Sequence, residues 1–592
     1  MSEPTLPIDL PPLAVVEATE LNQGDRVVKV LIDEPAIDRR FDYVVPAKWA
    51  DQVRVGSIVR VDLRHRRVRG WVTELDAEPP VGVALQRVTK VSGLGPPPGI
   101  IDLAEWAAEH WVGRVSQFLR TASPAKAVEK VQRRSKAIGS PAVVDELALA
   151  AFDESIATVR LPPTDDPMPF VLEAAKRGRA LILAPNASEA HYVAVSLRRA
   201  GIPAALMPGD WDRAAGGEVT VGTRAAAFAP VGPLGAVVVL DEHDEAYTEE
   251  AAPTWNARDV AIERARRDGA PCVLLSGSPS LEALALGPLL VPSRSAERSG
   301  WPVVEVIDRT GDDPATGEWC SEELSRMLAS GRSVACVINR KGRARFPICH
   351  QCGHVPRSES GSALALDGDE LVDLANGTRR PVVCERCGST RFRRVRLGVS
   401  GVREELEAMA RRPVAELTKD DPDPPSGVDL YVGTEAMLHR LDHVDVVVFL
   451  DFDQELLAPR FRAGEQAMAL LLRAARLVGP RSAGGRVMVQ TRTPDHEVLQ
   501  AALHADPSRF ASLDTERRTA LRLPPFGAMA LVSGHKAEQF IAGVDKTEVF
   551  VSGPDEGSWM VTADDWFTLT STLRAAPRPQ GRLRVEVDPR RA

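Results

Sequence analysis

Residues 236–244, AVVVLDEHD, join a run of apolar residues to a run of charged ones. A short apolar run that ends in polar residues is typical of a strand buried on both faces of a parallel sheet. Similar runs stand before and after it, with amphipathic helical segments between them. This alternation predicts a parallel sheet with helices on both faces, which is the α/β class.

The same alternation resumes after a Gly/Pro-rich break near residue 300, with the runs VACVIN, VDLYVG, VDVVVFLD and RVMVQT. We therefore expect two α/β units, flanked by regions of short strands. The predicted order is a disordered tail (1–24), a β-rich N-terminal domain (25–120), a linker with a basic run and one short helix (121–155), a first α/β unit (156–300), a second α/β unit (301–519) with a cysteine-bearing insertion (346–395), and a small α+β C-terminal domain (520–592).

The chain has 592 residues, and its 73 basic and 82 acidic residues give a net charge of −9. A surface that is positive throughout is excluded, so any nucleic-acid site must be local. The longest apolar runs are strand-sized, which predicts no membrane span. The acidic, Pro-rich N-terminus lacks the pattern of a secretory signal, and seven cysteines in so long a chain do not make a disulfide scaffold. We expect a cytoplasmic protein.

Four of the cysteines form two Cys-x-x-Cys pairs, Cys349 with Cys352 and Cys384 with Cys387. A glycine follows each pair and permits the tight turn that lets two thiolates face one ion. Four thiolates in tetrahedral geometry make a structural zinc site with no open position for catalysis. We predict one Zn²⁺ per chain, against the alternative of two chance pairs or a redox dithiol.

A local excess of arginine lies between Arg54 and Arg69, in a segment that predicts strand, turn and strand. Arginines along one edge can contact phosphates; a solvated hairpin tip is the alternative. Upstream, two aromatics flank an acid on one predicted strand, where a nucleobase could stack and a sugar hydroxyl could donate a hydrogen bond. Core aromatics are the alternative there. The predicted DNA-binding residues are Phe41, Asp42, Tyr43, Arg64, Arg66, Arg67 and Arg69.

Several segments, in the same order along the chain, resemble the PriA family of bacterial replication-restart helicases. They are VGTRAAAFAPVGPLGAVVVLDEHDEAY (221–247), WNARDVAIERA (255–265), LLSGSPSLEAL (274–284), INRKGRARFPICHQCG (338–353), CERCGST (384–390), VGTEAMLHRLDHVDVVVFLDFD (432–453) and FRAGEQ (461–466). FDYVVP (41–46) resembles the start of the family's 3′-end-binding domain, and VEVDP (585–589) its last strand. The resemblance implies two RecA-like helicase lobes of superfamily 2 with a zinc-binding insertion.

Three parts of the family's ATPase are missing. The phosphate-binding loop with Gly-Lys-Thr corresponds to ATVRLPPTDD (157–166), which has no glycine and places Pro163 near the lysine position. The Asp-Glu-Glu-His motif becomes Leu-Asp-Glu-His (240–243), so Leu240 stands at the metal-holding position, and Asp241 is expected to point to the opposite face of its strand. The arginines of the sixth helicase motif become Leu477 and Pro480.

Two further departures concern metal and DNA. The family usually carries eight cysteines for two zincs, and this chain keeps the outer four. An acidic, flexible-looking stretch (358–377) replaces the middle pairs, so one zinc is expected. Residues 121–155 leave little room for the family's winged helix, of which they would be a remnant.

The resemblance and its departures together imply a replication-restart protein without catalytic residues. Such a protein would bind stalled or abandoned forks and promote reloading of the replicative helicase, without helicase activity of its own. Its partners would be DNA (forks, 3′ ends and single strands), other primosome proteins, and the replicative helicase or its loader, with no membrane. One alternative is an active ATP-dependent 3′–5′ helicase, and another is a zinc-containing protein–protein adaptor.

Overall fold

The computed structural model describes residues 21–34, 37–63, 66–78, 83–135, 145–310, 321–338, 347–352, 354, 356, 364–367, 370–372, 378–394, 399–417, 424–425 and 427–590. Most of the predicted disordered tail and Arg64 therefore lie outside the described residues. None of the described helices is both long enough and apolar enough to cross a lipid bilayer.

The N-terminal domain is one six-stranded sheet in the order β5-β2-β1-β4-β3-β6. All its strand pairs are antiparallel except β2 with β5. Alternate valines of β1, β3 and β4 fill one face with a core of its own, and Trp71 on the other face packs against helices. The elements are β1 (Arg26–Ile32), β2 (Arg40–Val45), α1 (Ala47–Ala50), β3 (Ile58–Leu63), β4 (Arg66–Leu75), β5 (Gln86–Arg87) and β6 (Lys90–Gly93).

Two helices, α2 (Pro98–His110) and α3 (Val115–Ala122), follow this sheet. The sequence predicts one continuous helix over 101–120, and that prediction is wrong. Val112 adopts a left-handed conformation with φ of 52°, and Gly113 follows it, so the chain turns and α3 packs back on α2. The following residues, 124–135, contain no helix or strand. The predicted short helix of the linker is present as α4 (Glu146–Ala151).

The first lobe is a seven-stranded parallel sheet with helices on both faces, in the order β13-β7-β12-β11-β8-β10-β9. Its helices α6, α8, α9 and α10 begin at side-chain caps, such as Asn186, whose Oδ1 accepts from the N–H of Glu189 at 2.9 Å. The elements are β7 (Ile156–Arg160), α5 (Met168–Lys176), β8 (Ala180–Leu183), α6 (Ala187–Arg199), β9 (Ala204–Leu206), α7 (Trp211–Ala215), β10 (Val219–Gly222), β11 (Ala236–Val239), α8 (Ala257–Asp268), β12 (Cys272–Ser276), α9 (Leu281–Leu284), β13 (Leu289–Leu290) and α10 (Arg294–Ser299).

The second lobe is a six-stranded parallel sheet in the order β14-β24-β23-β15-β22-β21. Its elements, with those of the insertion, are β14 (Val303–Asp308), α11 (Glu322–Leu328), β15 (Val334–Val337), β16 (Pro347–Cys349), β17 (Ala365–Asp367), β18 (Glu370–Val372), β19 (Arg379–Pro381), β20 (Phe392–Arg394), α12 (Val399–Ala410), β21 (Val414–Leu417), β22 (Leu430–Gly433), β23 (Val446–Phe449), α13 (Asp453–Leu456), α14 (Ala463–Val478), β24 (Arg486–Thr491), α15 (Glu497–Leu503) and α16 (Ser508–Leu521).

The insertion contains more order than its acidic sequence indicates. Strands β17, β18 and β19 form a three-stranded antiparallel sheet. Leu364, Leu371 and Val372 are buried there. The expectation of a flexible stretch over 358–377 is therefore wrong for its described part, because these apolar residues pair as a hairpin and bury their side chains.

The C-terminal domain is an antiparallel sheet in the order β26-β27-β25-β28 with two helices. Its core is continuous with that of the first lobe and of helices α2 and α3. Trp566 stacks on His110 with their ring centroids 4.5 Å apart, and its indole N–H donates to the backbone carbonyl of His110. The elements are β25 (Ala528–Ser533), α17 (Ala537–Ala542), β26 (Phe550–Asp555), β27 (Ser558–Ala563), α18 (Trp566–Ala575) and β28 (Arg584–Val587).

Candidate nucleic-acid interface, metal centre and interlobe cleft

The four cysteines of the two Cys-x-x-Cys pairs come together in the insertion, and their sulfurs all lie within 4.8 Å of one another. Antiparallel pairing of β16 with β20 brings the two pairs together. The Sγ atoms of Cys349 and Cys387 are 3.5 Å apart, and those of Cys352 and Cys384 are 3.6 Å apart. Sulfurs about 2.3 Å from a tetrahedral ion lie about 3.8 Å from each other. The donor set fits one tetrahedral metal ion.

The surroundings of the cluster shift the pKa values of two of its thiols in opposite directions. Burial raises the pKa of Cys349, but the N–H groups of Cys352 and Gln351 lower it to about 6. The N–H of Ser389 lowers the pKa of Cys387, whereas burial and the neighbouring sulfurs raise it to about 12. Four adjacent thiols cannot all ionise without a cation between them, so a bound metal ion must displace protons from them.

A row of cations lies on the same face of the N-terminal sheet as Trp71, at positions that the helices leave exposed or half-exposed. Arg60 on β3 lies directly opposite Arg69 on β4 and opposite Lys90 on β6. Residues directly opposite in antiparallel strands point to the same side, and like charges in that position are destabilising. The Nε of Arg69 lies 3.6 Å from a carboxylate oxygen of Asp33, and Arg120 contacts the same carboxylate. The face therefore keeps an excess of positive charge.

The predicted arginines of the turn have different environments. Arg66 and Arg67 are exposed at the start of β4, without a carboxylate partner among the described residues. Arg69 is half-buried against Trp71, and burial together with Arg60 and Arg120 lowers its pKa although Asp33 raises it. Arg66, Arg67 and Arg69 thus share one strand, and their role in DNA binding stays a prediction.

The Phe-Asp-Tyr motif lies on β2, largely inside the N-terminal domain. The ring of Tyr43 is in the core, and its hydroxyl donates to the carbonyl of Asp62 at 3.2 Å. Phe41 packs against the same core while remaining partly exposed, and Arg39 lies over its ring. Asp42 points the other way, and its buried Oδ1 has no hydrogen-bond partner within the described part of the chain. Of the three side chains, Asp42 is the one with an unused acceptor.

The cleft between the lobes contains the segment that replaces the phosphate-binding loop. This segment runs from Leu161 to Pro167, between β7 and α5, and lines a cleft of about 550 Å³. A phosphate site needs free N–H groups at the helix N-terminus. Here Pro167 and Pro169 have no N–H, and the N–H of Met168 donates to Asp166 at 2.9 Å.

The N–H groups of the next two residues, Phe170 and Val171, donate to the carbonyl of Pro167. The first turn of α5 therefore offers no donor to a phosphate, and carboxylates stand in front of it. Burial raises the pKa of Asp165 in this loop. That a polyphosphate does not bind in this part of the cleft stays a prediction.

Asp241 contradicts its predicted orientation. The strand β11 ends two residues earlier, and Asp241 has φ of 46°, so the alternation of side chains along a strand does not apply to it. Its carboxylate enters the cleft and accepts hydrogen bonds from Nη1 and Nη2 of Arg476, the one from Nη2 at 2.8 Å. Burial raises the pKa of Asp241, but Arg476 lowers it to about 2.

Arg476 is a residue whose role sequence reasoning missed. It lies in the last turn of α14 and also donates from Nε to the carbonyl of Pro163 at 3.1 Å. Leu477, which occupies a former arginine position, is buried in the core of the second lobe. One guanidinium thus contacts both the Asp241 loop and the proline-containing loop of the first lobe. The helical spacing of α14 was the available signal, because Leu477 completes its apolar face and Arg476 falls outside it.

Further contacts cross between the lobes beside this pair. Arg473 contacts Asp244 at 2.7 Å, and Gln466 donates to Glu245 at 2.5 Å. Leu240, next to Asp241, is buried and offers no oxygen to a metal ion. The lobes are therefore joined across the cleft by charged and polar side chains of the protein itself.

A buried ion network joins three domains beside the cleft. Arg462 of the second lobe contacts Glu282 of the first lobe at 2.7 Å and Asp588 of the C-terminal domain at 2.8 Å. Arg518, which is fully buried, pairs with Glu465 at 2.7 Å and also contacts Asp514. Removing a charged group from water costs free energy, so buried charges such as these are retained only when they are paired. The junction fixes the relative position of the lobes.

Comparisons with known proteins agree with this architecture. The sequence model described as the 3′DNA-binding domain (3′BD) of PriA matches residues 29–124. The probable replication restart protein PriA of Mycobacterium tuberculosis (strain CDC 1551 / Oshkosh) is 29% identical over 568 residues, covering 85% of this chain and 86% of that protein. The replication restart protein PriA of Bacillus subtilis (strain 168) is 28% identical over 363 residues, covering 56% of this chain and 45% of that protein.

The chain thus spans less than half the length of the Bacillus relative. Among solved structures, the helicase MrfA bound to DNA and AMPPNP aligns with 72% of this chain and 63% of its own, at 13% identity and a TM-score of 0.33. A structural likeness of that degree carries no weight in the assignment.

Two parallel α/β sheets on either side of a cleft, preceded by a domain that matches the 3′ DNA-binding type, make this a multidomain α/β protein of the kind that carries a DNA-binding domain. More particularly, the chain is similar to replication restart proteins PriA, along 85% of its length in the Mycobacterium tuberculosis protein.

Proposed function

We propose that this protein binds stalled or abandoned replication forks and promotes reloading of the replicative helicase without acting as a motor. In this proposal it works in the cytoplasm with other primosome proteins and with the replicative helicase or its loader. The helicase fold then serves as a rigid frame that holds the DNA-binding face and the metal-bearing insertion in fixed positions.

The non-motor part of the proposal is supported by the cleft between the lobes, where the protein's own groups already pair with the donors and cations that a nucleotide would need. An ATPase of this fold needs free N–H groups around the phosphates, a lysine, a carboxylate for Mg²⁺ and arginines from the facing lobe. Here the donors at the start of α5 are absent or used, and Leu240 replaces the carboxylate. Arg476 does reach the cleft, but Asp241 already neutralises it.

The observations on the N-terminal domain support recognition of a 3′ end. Asp42 keeps one buried acceptor without a partner, and a sugar hydroxyl is a donor of the size and chemistry that fits it. Phe41 beside it is partly exposed and could stack with a base. The ring of Tyr43 is in the core, so its part in the proposal is to position β2.

Zinc is the metal we propose for the cysteine cluster. Four thiolates with tetrahedral spacing suit Zn²⁺, and no ligand position is left open for catalysis. Its role is to hold the loops of the insertion around β16 and β20. His350 and His354 are not part of the four-sulfur group.

Binding to a labelled fork with a free 3′ end, measured at rising salt, tests the DNA-binding part. We expect nanomolar to micromolar affinity at low salt and a steep linear fall of log K against log salt, because phosphates are contacted. Absence of binding at every salt concentration would favour the adaptor alternative and contradict the proposal.

A loading assay tests the rest of the proposal. Addition of the protein to a fork coated with single-stranded-DNA-binding protein should increase the amount of replicative helicase retained on the fork when the loader is present. Equal retention with and without the protein would contradict the loading role while leaving fork binding intact.

A further inference from the structure

The chain between α3 and α4 contains a basic segment to which the proposed function assigns nothing. We name residues 126–134 the basic strap. It carries Lys126, Lys130, Arg133 and Arg134, with Glu129 as its one acid. All four cations are exposed, and none has an ion-pair partner within the described part of the chain.

The strap lies along the protein surface because its backbone and polar groups are anchored. Its carbonyl at Val128 accepts from the N–H of Leu94 at 2.7 Å, directly after β6 of the N-terminal sheet. The chain passes so close there that a Cβ on Gly93 would lie 2.7 Å from the Val128 oxygen. At the other end, Gln132 donates to Asp212 of the first lobe at 2.6 Å.

A second hydrogen bond to the first lobe comes directly after the strap, where the hydroxyl of Ser135 donates to Glu218 at 2.9 Å. The neutral side chains of Gln132 and the adjoining Ser135 thus use the nearby carboxylates, and the cations of the strap do not. A Cβ on Gly216 would lie 2.0 Å from the carbonyl oxygen of Gln132, which again shows how closely the strap is seated. The strap is a built feature of the surface.

The strap continues the cation row of the N-terminal sheet. That row ends at Lys90 on β6, and the strap touches the chain four residues later, at Leu94. Positive charge therefore extends from β4, across β3 and β6, to the first lobe. From Lys126 to Arg134 the strap can reach at most about 28 Å, which corresponds to about eight base pairs of duplex.

The composition of the strap indicates which form of DNA it contacts. Residues 126–134 include no aromatic side chain. Proteins that hold single strands combine cations with aromatic stacking platforms, whereas duplex DNA presents only phosphates and groove edges. We infer that the basic strap binds the phosphate backbone of a duplex arm next to the 3′ end. The inference rests on the proposed fork binding.

The test compares two DNA substrates and three proteins. The strap variant replaces Lys126, Lys130, Arg133 and Arg134 by glutamine. The control variant makes the same change at four scattered exposed cations, Arg199, Arg298, Arg481 and Lys546. Each protein is titrated with a forked duplex and with a single strand that has the same 3′ end, at several salt concentrations.

We expect the strap variant to bind the fork at least about tenfold more weakly than the wild type, with a salt slope smaller by about three to four. Its affinity for the single strand and its melting temperature should equal those of the wild type. Unchanged fork affinity, or an equal loss on both DNAs, or the same loss in the control variant, would overturn the inference. Absence of wild-type fork binding would instead contradict the proposed function itself.

Discussion

The interlobe cleft and the outer face of the N-terminal domain, by which we mean the sheet face that carries Arg60, Arg69 and Lys90, are both rich in cations, but their cations are in opposite situations. In the cleft, Arg462, Arg473 and Arg476 each contact a carboxylate of another domain. On the outer face, Arg60 and Lys90 lie opposite each other without carboxylate partners among the described residues. The cleft satisfies its charges internally, whereas the face leaves its charges to an external anion.

This difference gives a physical criterion for reading degenerate members of an enzyme fold. A site that still needed nucleotide would keep unpaired cations and free N–H donors in the cleft. In this cleft the protein's own carboxylates, Asp244 and Asp241, pair with Arg473 and Arg476. The two regions can be tested separately, because they share no residue.

The largest effect is expected on fork binding, from the predicted DNA-binding arginines of the N-terminal domain. Replacing Arg64, Arg66, Arg67 and Arg69 by alanine should weaken fork binding about 100-fold and flatten its salt dependence, since several phosphate contacts are lost. Fluorescence anisotropy with a labelled fork measures both quantities. Replacing the cleft arginine Arg473 by alanine is the matched control, and it should leave fork affinity unchanged. If the four-arginine variant bound as tightly as the wild type, the face would not be the DNA site.

The next effect concerns the junction of the three domains. Arg462→Ala leaves Asp588 buried without its ion-pair partner and leaves Glu282 with the more distant Arg518 at 3.9 Å, which should cost about 3–5 kcal/mol of unfolding free energy. Urea denaturation measures it. The control is Arg522→Ala, which breaks an exposed pair with Asp564 and should change stability little. Similar losses in the two variants would mean that the junction is not the main link between domains.

The cysteine cluster gives an effect confined to the insertion. Cys384→Ser removes one of four ligands, so the purified protein should lose its single zinc, and fewer amides of 347–394 should be protected from hydrogen exchange. Elemental analysis and exchange mass spectrometry measure the two changes. Cys272→Ser, at a buried thiol of the first lobe, is the control and should keep the zinc. Two zincs per wild-type chain would contradict the prediction.

The smallest effect is a pH dependence of stability. Burial between aromatic rings lowers the pKa of His110 to about 4, although Asp259 and Glu263 raise it. The unfolded chain binds this proton near pH 6.5 and the folded protein does not, so stability should fall as pH drops from about 6.5 to 4, by at most about 1.4 kcal/mol per pH unit.

His110→Gln should flatten that fall, and His191→Gln, at an exposed position, should not. Melting temperatures between pH 4 and 7.5 give the comparison. An unchanged pH profile in His110→Gln would show that the stack on Trp566 does not set the acid sensitivity.

Much of the fold followed from local patterns in the sequence. The alternation of apolar strands and amphipathic helices predicted both parallel sheets, and the glycine after each Cys-x-x-Cys pair agreed with the observed cluster. The break of the predicted helix at Val112 and the hairpin at β17 and β18 could not be read in this way, since both depend on packing with distant residues.

The cleft shows the same limit. Sequence comparison identified which motif residues are missing, because a missing glycine or lysine is visible directly. It could not show that Asp241 turns into the cleft or that Arg476 neutralises it, since the first depends on one left-handed residue and the second on contact between two lobes. The missing motif residues were visible in the sequence, and the contacts made in the cleft were not.

ATP turnover by the purified protein, with and without fork DNA, tests the paired cleft most directly. Phosphate release should stay at the level of buffer in both conditions, and also in Arg476→Ala, because removing one pairing arginine restores neither the phosphate donors nor the metal ligand. Fork-stimulated turnover of about 1 s⁻¹ or faster, lost on changing Asp241→Asn, would show that the cleft is a working ATPase site and would contradict the proposed non-motor role.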